Sequence, residues 1–240
     1  MRQQAALTVH TTEALVLRRV EFGDADLIVM LLTRELGRVS ALARGARRSR
    51  RRFGGALEPF FTLTVVLEER RAAELFTLRE ASLLRPRTGL LADLTALSAA
   101  GRVLGWVRRG APAHTPEPEA WSIVEQLLDR LAMPANAGDA DAALAGAGLR
   151  LLAAFGWALE LERCVRCGRP CPDGRPANLE PTRGGLVCRE CGGGRLRVSA
   201  EQRARLNLAA RGQGPALAGA DTHFALDLIE RVLDAHAAGS

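Results

Sequence analysis

Two Cys-x-x-Cys pairs separated by twenty residues, Cys164-Val-Arg-Cys167 and Cys188-Arg-Glu-Cys191, constrain this chain more than any other feature. Each pair lets two thiolates face one ion from a single tight turn, and the second pair closes a tetrahedron. Gly168 and Gly192 follow the pairs and supply the permissive backbone such turns need. All five cysteines fall between residues 164 and 191. Clustering of that kind in a reducing compartment points to one structural zinc ion rather than to disulfides. Four thiolates leave no position for water, which argues against a catalytic ion. A dithiol redox centre would need one pair to open a helix after a strand, and neither pair has that setting. Cys171 could take the place of Cys167, but its spacing from Cys164 is poorer and it reads as a spare thiol.

A metal-clipped segment of this size needs a larger body. The chain has 240 residues, 48% hydrophobic and 25% charged, which suits two globular domains or one with an appendage. It contains no 18-residue apolar run, and Met1 to Thr12 lacks the layout of a secretory signal. A cytoplasmic protein with no membrane partner is expected. All 33 basic residues are Arg, and neither Lys nor Tyr occurs. This excludes a phosphate-loop lysine, a lysine Schiff base, a kinase-type lysine and a tyrosine nucleophile.

The formal charge of +6 is unevenly spread. Arg34, Arg38, Arg44, Arg47, Arg48, Arg50, Arg51 and Arg52 crowd into nineteen residues against a single acid, Glu35. Guanidinium groups are planar, permanently charged and able to fork onto phosphate, so this island suits a polyanion backbone. A solvated loop or codon bias is the plainer alternative; bias explains Arg in place of Lys but not the crowding. Phe53 ends the run and could stack a base. Gly54 and Gly55 could bend the loop over a strand or serve only the next turn. A second basic stretch, 161–197, is offset by the negative charge of a four-thiolate site.

Hydrophobic periodicity divides the chain. ALVLRRV (14–20), DLIVMLL (26–32) and GRVSALA (37–43), then 60–67 and 74–84 across the polar turn 68–71, read as five short strands of a small barrel. An OB-fold commonly holds single-stranded nucleic acid, although an SH3-like barrel gives the same pattern. From Pro86 the period is helical. Leu90, Leu94, Leu97, Leu104 and Val107 form one stripe. Trp121, Val124, Leu128 and Leu131 form a second, and after a 134–138 linker Leu144, Leu151, Leu152 and Phe155 form a third. Gly146 and Gly148 lack a dinucleotide-loop continuation and read as close helix packing. Ser199-Ala-Glu-Gln202 starts a further helix, and Phe224, Leu228 and Val232 mark the last. Trp106, Trp121 and Trp157 all read as helical core. The expected organisation is α+β: a five-stranded OB-fold barrel over 1–83, a helical bundle domain over 84–160, a four-cysteine zinc finger inserted at 161–197, and C-terminal helices over 198–240 returning to the bundle.

No catalytic signature is present. The four histidines are scattered, and no nucleophile elbow, H-E-x-x-H or deaminase pattern occurs. Two other classes stay open: a barrel and zinc-ribbon protein binding RNA in transcription or translation, and a metal-dependent nuclease.

Gly23-Asp-Ala-Asp26 through Thr33-Arg-Glu-Leu-Gly37, followed by Gly45-Ala-Arg-Arg48 and Arg52-Phe-Gly-Gly-Ala-Leu-Glu-Pro-Phe60, closely resembles the N-terminal signature of the bacterial RecO recombination mediators. The order of barrel, helices, paired Cys-x-x-Cys and helices is similar over nearly the whole length. The resemblance implies an OB-fold, a helical domain with a zinc finger, and a non-enzymatic role in the RecF pathway of DNA recombination and repair. It implies binding of single- and double-stranded DNA and annealing of complementary strands. It also implies association with RecR and the single-stranded DNA-binding protein, and help in loading RecA. The chain departs from the usual pattern in using Arg where relatives mix Lys and Arg. Some relatives lack the cysteines, so zinc is expected to be architectural rather than needed for annealing.

Overall fold

Alternating apolar residues over the first third of the chain close into a five-stranded barrel. The structure, a computed structural model, describes residues 7–53, 55–70, 75–133 and 139–237. The strands are β1 (Leu7–Phe22), β2 (Asp26–Thr33), β3 (Gly37–Ala43), β4 (Thr62–Arg70) and β5 (Phe76–Arg85). They run in the closed order β1-β2-β3-β5-β4, all antiparallel except β3 beside β5. This is the OB-type barrel. Its interior is built from inward residues of period two: Val16, Val29, Leu31, Val39, Leu63, Val65, Leu67 and Leu78 are all buried.

Closure depends on the length of β1. Its first half pairs with β4 (Leu7↔Arg70 to Leu15↔Thr62) and its second with β2 (Ala14↔Thr33 to Phe22↔Asp26), with a bulge between Val16 and Arg18. A bulge bends a strand and raises its twist, so one strand can serve both edges of the sheet. The strand begins seven residues before the ALVLRRV core of the sequence pattern. That first half presents Val9 outward as well as polar residues, which blurs its alternation.

Helix α1 (Arg50–Phe53) lies between β3 and β4. A short 3₁₀ turn at Thr88–Ala92 follows β5, and then come α2 (Leu94–Gly110), α3 (Pro118–Leu131) and α4 (Asp139–Ala154). The chain forms two compact units: Met1–Asp93 with Ala111–Ala132, and Leu94–Gly110 with Met133–Ser240. Helix α3 therefore belongs with the barrel, whereas periodicity places its segment inside one helical domain spanning 84–160. An amphipathic stripe shows that a helix needs a partner but not which partner. Buried polar groups decide it: Arg87 reaches Glu125 and Asp129 on α3 at 3.0 and 2.8 Å. Gly89 allows close approach, because a Cβ there would lie 2.0 Å from the carbonyl oxygen of Ala132.

In the second unit α2 and α4 pack with α5 (Ala200–Ala210) and α6 (Ala220–Ala237). A Cβ on Gly148 would meet the Trp106 ring at 2.5 Å and Ile229 at 2.6 Å, so this glycine lets three helices touch. Ser199 caps α5, its hydroxyl accepting the Gln202 N–H at 3.1 Å. Between α4 and α5 the chain forms the finger, with β6 (Glu160–Cys164), β7 (Ala177–Glu180), β8 (Gly185–Leu186) and β9 (Leu196–Val198) in the order β6-β8-β7-β9. The almost fully buried Arg203 of α5 donates to the carbonyls of Leu161, Cys171 and Pro172, tying the finger to the helices behind it.

Two local expectations change. The stripe beginning at Leu90 is interrupted: Leu90 is buried in the 3₁₀ turn of the barrel unit, while Leu94 is exposed at the start of α2. The α2 core face is made instead by Ala96, Ala99, Ala100, Val103, Leu104, Trp106 and Val107. Trp157 lies beyond α4, half-buried and stacked on His236. Residues 71–74 and the 134–138 linker lie outside the described residues.

Candidate nucleic-acid interface and metal centre

The loop after β3 is held by its backbone, which frees its side chains. Asp26 accepts the Gly45 N–H at 2.7 Å, and the Arg47 N–H donates to Ala25 at 3.0 Å, so the β1–β2 turn anchors the loop. Gly45 takes a φ of 65°, a left-handed turn that favours glycine. Ser49 then accepts the Arg52 N–H at 3.3 Å, and the chain enters α1. The far side of this helix is apolar. Phe53 is only 1% exposed and packs with Ala56 and Leu57 into the barrel core. This corrects the expectation that Phe53 stacks a base: the ring plugs the barrel, and the Arg52 guanidinium sits 5.2 Å from its centroid.

Arg44, Arg47, Arg48, Arg51 and Arg52 are exposed on this ordered loop. Arg52 is held by the Arg44 carbonyl at 2.6 Å, and Arg47 pairs with Glu21 at 3.2 Å. Arg48 and Arg51 have no acidic partner among the described residues. The side chain of Arg50 and residue Gly54 lie outside the described residues. Gly55, at φ 75°, sits in the turn leading to β4.

Arg34 and Arg38 are not part of this group. They lie at the opposite end of β3, about 20 Å away along the strand at ~3.4 Å per residue. Arg34 faces Glu13 at 3.9 Å, and the half-buried Arg38 donates its Nε–H to the Ala111 carbonyl at 2.8 Å. Sequence crowding cannot show this division, because a seven-residue strand runs through the middle of the island.

The metal-ligand set assembles from two knuckles. The Gly168 N–H donates to Cys164 O at 2.9 Å, and the Cys191 and Gly193 N–H groups both donate to Cys188 O at 3.0 Å. Gly168 and Gly192 have φ of 70° and 100°, the left-handed turns that bring each pair of thiols to one side. The sulfurs of Cys164, Cys167, Cys188 and Cys191 lie within 4.8 Å of one another, and Cys167 and Cys188 are 3.8 Å apart. A tetrahedral ion with ~2.3 Å bonds to sulfur requires edges of about 3.8 Å, so the four residues can hold one. The donor chemistry agrees. The Cys188 N–H, against burial, draws the Cys164 thiol down to about 6. Cys191, hydrogen-bonded to Cys188 and Cys167, is pushed up to about 12. Four sulfurs this close cannot all ionise without a cation among them. Cys171 is outside the set; its N–H donates to Glu162 O at 2.7 Å.

The histidines have structural settings. His10 meets Glu69 at 3.2 Å, His114 stacks on Phe76, His223 meets the Gly219 carbonyl at 3.0 Å and His236 lies on Trp157. Among the described residues no helix is long and apolar enough to cross a membrane.

Two family models account for almost all of the chain. Recombination protein O N terminal matches residues 7–87, and Recombination protein O C terminal matches residues 91–239. The chain belongs to the RecO family. Similar curated proteins bear the name DNA repair protein RecO. That of Anaeromyxobacter sp. (strain K) is 41% identical over 180 residues, covering 75% of this chain and 69% of the relative. Those of Rubrobacter xylanophilus and Myxococcus xanthus are 33% and 36% identical, covering 77% and 75% of this chain and 72% and 71% of the relatives. The RecO N-terminal match coincides with the barrel and its arginine loop, and the C-terminal match contains the four cysteines. The four thiols of the paired Cys-x-x-Cys spacing are the ones that the fold brings together, whereas the arginine island is divided by β3. Phe22 is an exposed aromatic at the turn that anchors the arginine loop, a setting that a lone phenylalanine at a strand end does not announce by any sequence pattern.

Proposed function

We propose that this RecO-family chain is a non-enzymatic mediator of recombinational DNA repair in the RecF pathway, working in the cytoplasm at the nucleoid. It binds single- and double-stranded DNA and anneals complementary strands. It associates with RecR and with the single-stranded DNA-binding protein, and it promotes loading of RecA. The observation that carries this reading is the ordered loop displaying Arg44, Arg47, Arg48, Arg51 and Arg52, with Arg48 and Arg51 unpaired by any acid among the described residues. Two complementary strands repel through their phosphates. A face of several arginines screens both while leaving base edges free to pair. Arg50 is assigned to the same face on sequence grounds, and zinc is assigned to the four cysteines as an architectural ion.

The test is annealing of complementary oligonucleotides precoated with the cognate single-stranded DNA-binding protein, with wild type against a variant carrying Ala at 47, 48, 50, 51 and 52. Wild type is expected to anneal them and the variant to fail. Wild type that binds DNA yet leaves coated strands apart would reduce the protein to a simple binding module.

A further inference from the structure

Among the described Phe and Trp residues, Phe22 alone is exposed, at 52%. It ends β1 on the outer surface of the barrel. Its register partner is Asp26, and two residues back Val20, 45% exposed, stands opposite Ile28. The intervening pair, Glu21 and Leu27, faces the other way, with Leu27 in the core. Phe22 and Val20 thus share one outward face, with the exposed Arg18 next along it.

This apolar pair lies where the arginine loop begins. The Asp26 carboxylate opposite Phe22 is occupied by the Gly45 N–H at 2.7 Å, while Arg47, bonded through its N–H to Ala25, pairs with Glu21 on the other face of the strand. Asp26 and Glu21 are thus engaged with the loop, Asp24 of the turn is exposed, and on the ring's own face the exposed Arg18 has no acidic partner among the described residues. An exposed ring that shares its face with the Arg18 guanidinium, at the turn that anchors the arginine loop, matches the chemistry of a single strand, whose bases present π-faces and whose backbone is anionic.

We propose that Phe22, with Val20 beside it, is a base-stacking platform for single-stranded DNA, working with the arginine loop that holds the phosphates. The proposal rests on the DNA-binding reading above and adds the residue that tells single strands from duplexes, since paired bases offer no free face. Because the ring is exposed, Phe22→Ala leaves the core intact.

The experiment measures binding of wild type, Phe22→Ala and Phe22→Trp to a single-stranded oligonucleotide, to the same oligonucleotide with abasic sites throughout, and to a duplex. Phe22→Ala should weaken binding to the intact single strand about tenfold. It should leave the abasic strand, the duplex and the salt slope unchanged, and Phe22→Trp should retain affinity. Equal binding by Phe22→Ala and wild type, or an equal loss on the abasic strand, would overturn the platform. A salt-independent wild type would instead defeat the arginine reading, while the contrast between intact and abasic strands would still report on Phe22.

Discussion

Arg87 and Glu125 form an ion pair of 3.0 Å with both side chains almost wholly buried, joining the end of β5 to helix α3. Each charge has further partners. Arg87 donates to Thr62 Oγ1 at 2.8 Å and Phe60 O at 2.9 Å, while Glu125 accepts from Thr62 at 2.7 Å and meets Arg85 at 2.6 Å. A buried pair contributes little net stability over a well-packed apolar substitute, but removing one member strands the other. Arg87→Met should cost about 3–5 kcal/mol in chemical denaturation, and Arg87→Met with Glu125→Leu should recover more than half of it. A single variant within about 1 kcal/mol of wild type would contradict this account.

The finger predicts a specific pattern of metal loss. With the four sulfurs within 4.8 Å of one another and Cys171 outside the set, purified protein should release one zinc per chain to a thiol-reactive reagent. Ser at 164, 167, 188 or 191 should abolish that release, and Cys171→Ser should not. Since metal binding orders such modules, chelation should make residues 161–197 sensitive to protease while hydrogen exchange in the barrel strands stays slow. Retention of zinc after substitution at position 188 would overturn the assignment.

Glu230 on α6 predicts an acid dependence. Its carboxylate accepts the Trp106 indole N–H at 2.7 Å, bonds Arg109 and faces Arg102 at 3.6 Å. Partial burial pushes its pKa up more than any single partner lowers it, yet Trp106 and the two arginines together leave it below the usual glutamate value. A carboxylate depressed in the folded state contributes stability that is present above its unfolded value, about 4.3, and is lost as pH falls through the folded one. Glu230→Gln should therefore lose less stability than wild type between about pH 5 and pH 3. Parallel stability curves for the two proteins would count against it.

Much of this was legible in the sequence, for reasons that differ between residues. Leu63, Val65 and Leu67 announce a half-buried strand because a period of two has one physical meaning, and all three are fully buried. The cysteines announce a metal because spacing alone nearly fixes the geometry. Phe53 misleads because a four-residue helix is too short to show a period, so its neighbours cannot reveal which way it turns. The partner of α3 was hidden because its choice rests on Arg87, Glu125 and the absent side chain of Gly89, three positions that no local pattern links.

Arg38 and Arg48 look alike in sequence and should behave differently in solution. Each phosphate neutralised on a single strand contributes about −0.7 to the slope of log affinity against log salt, so five arginines predict about −3.5. Arg48 is exposed and has no acidic partner among the described residues, so Arg48→Ala should flatten the slope by about 0.7 with no change in stability. Arg38 is half-buried with its Nε–H on the Ala111 carbonyl, beside the backbone bond from His114 to its own carbonyl at 3.0 Å. Arg38→Ala should leave the slope unchanged and instead lower the unfolding free energy, by about 1–3 kcal/mol for a stranded carbonyl. Salt titration of a fluorescent oligonucleotide beside urea denaturation reads both quantities. Equal slopes for the two variants would mean that the strand reaches both ends of β3, and that the loop after β3 is only one part of the path.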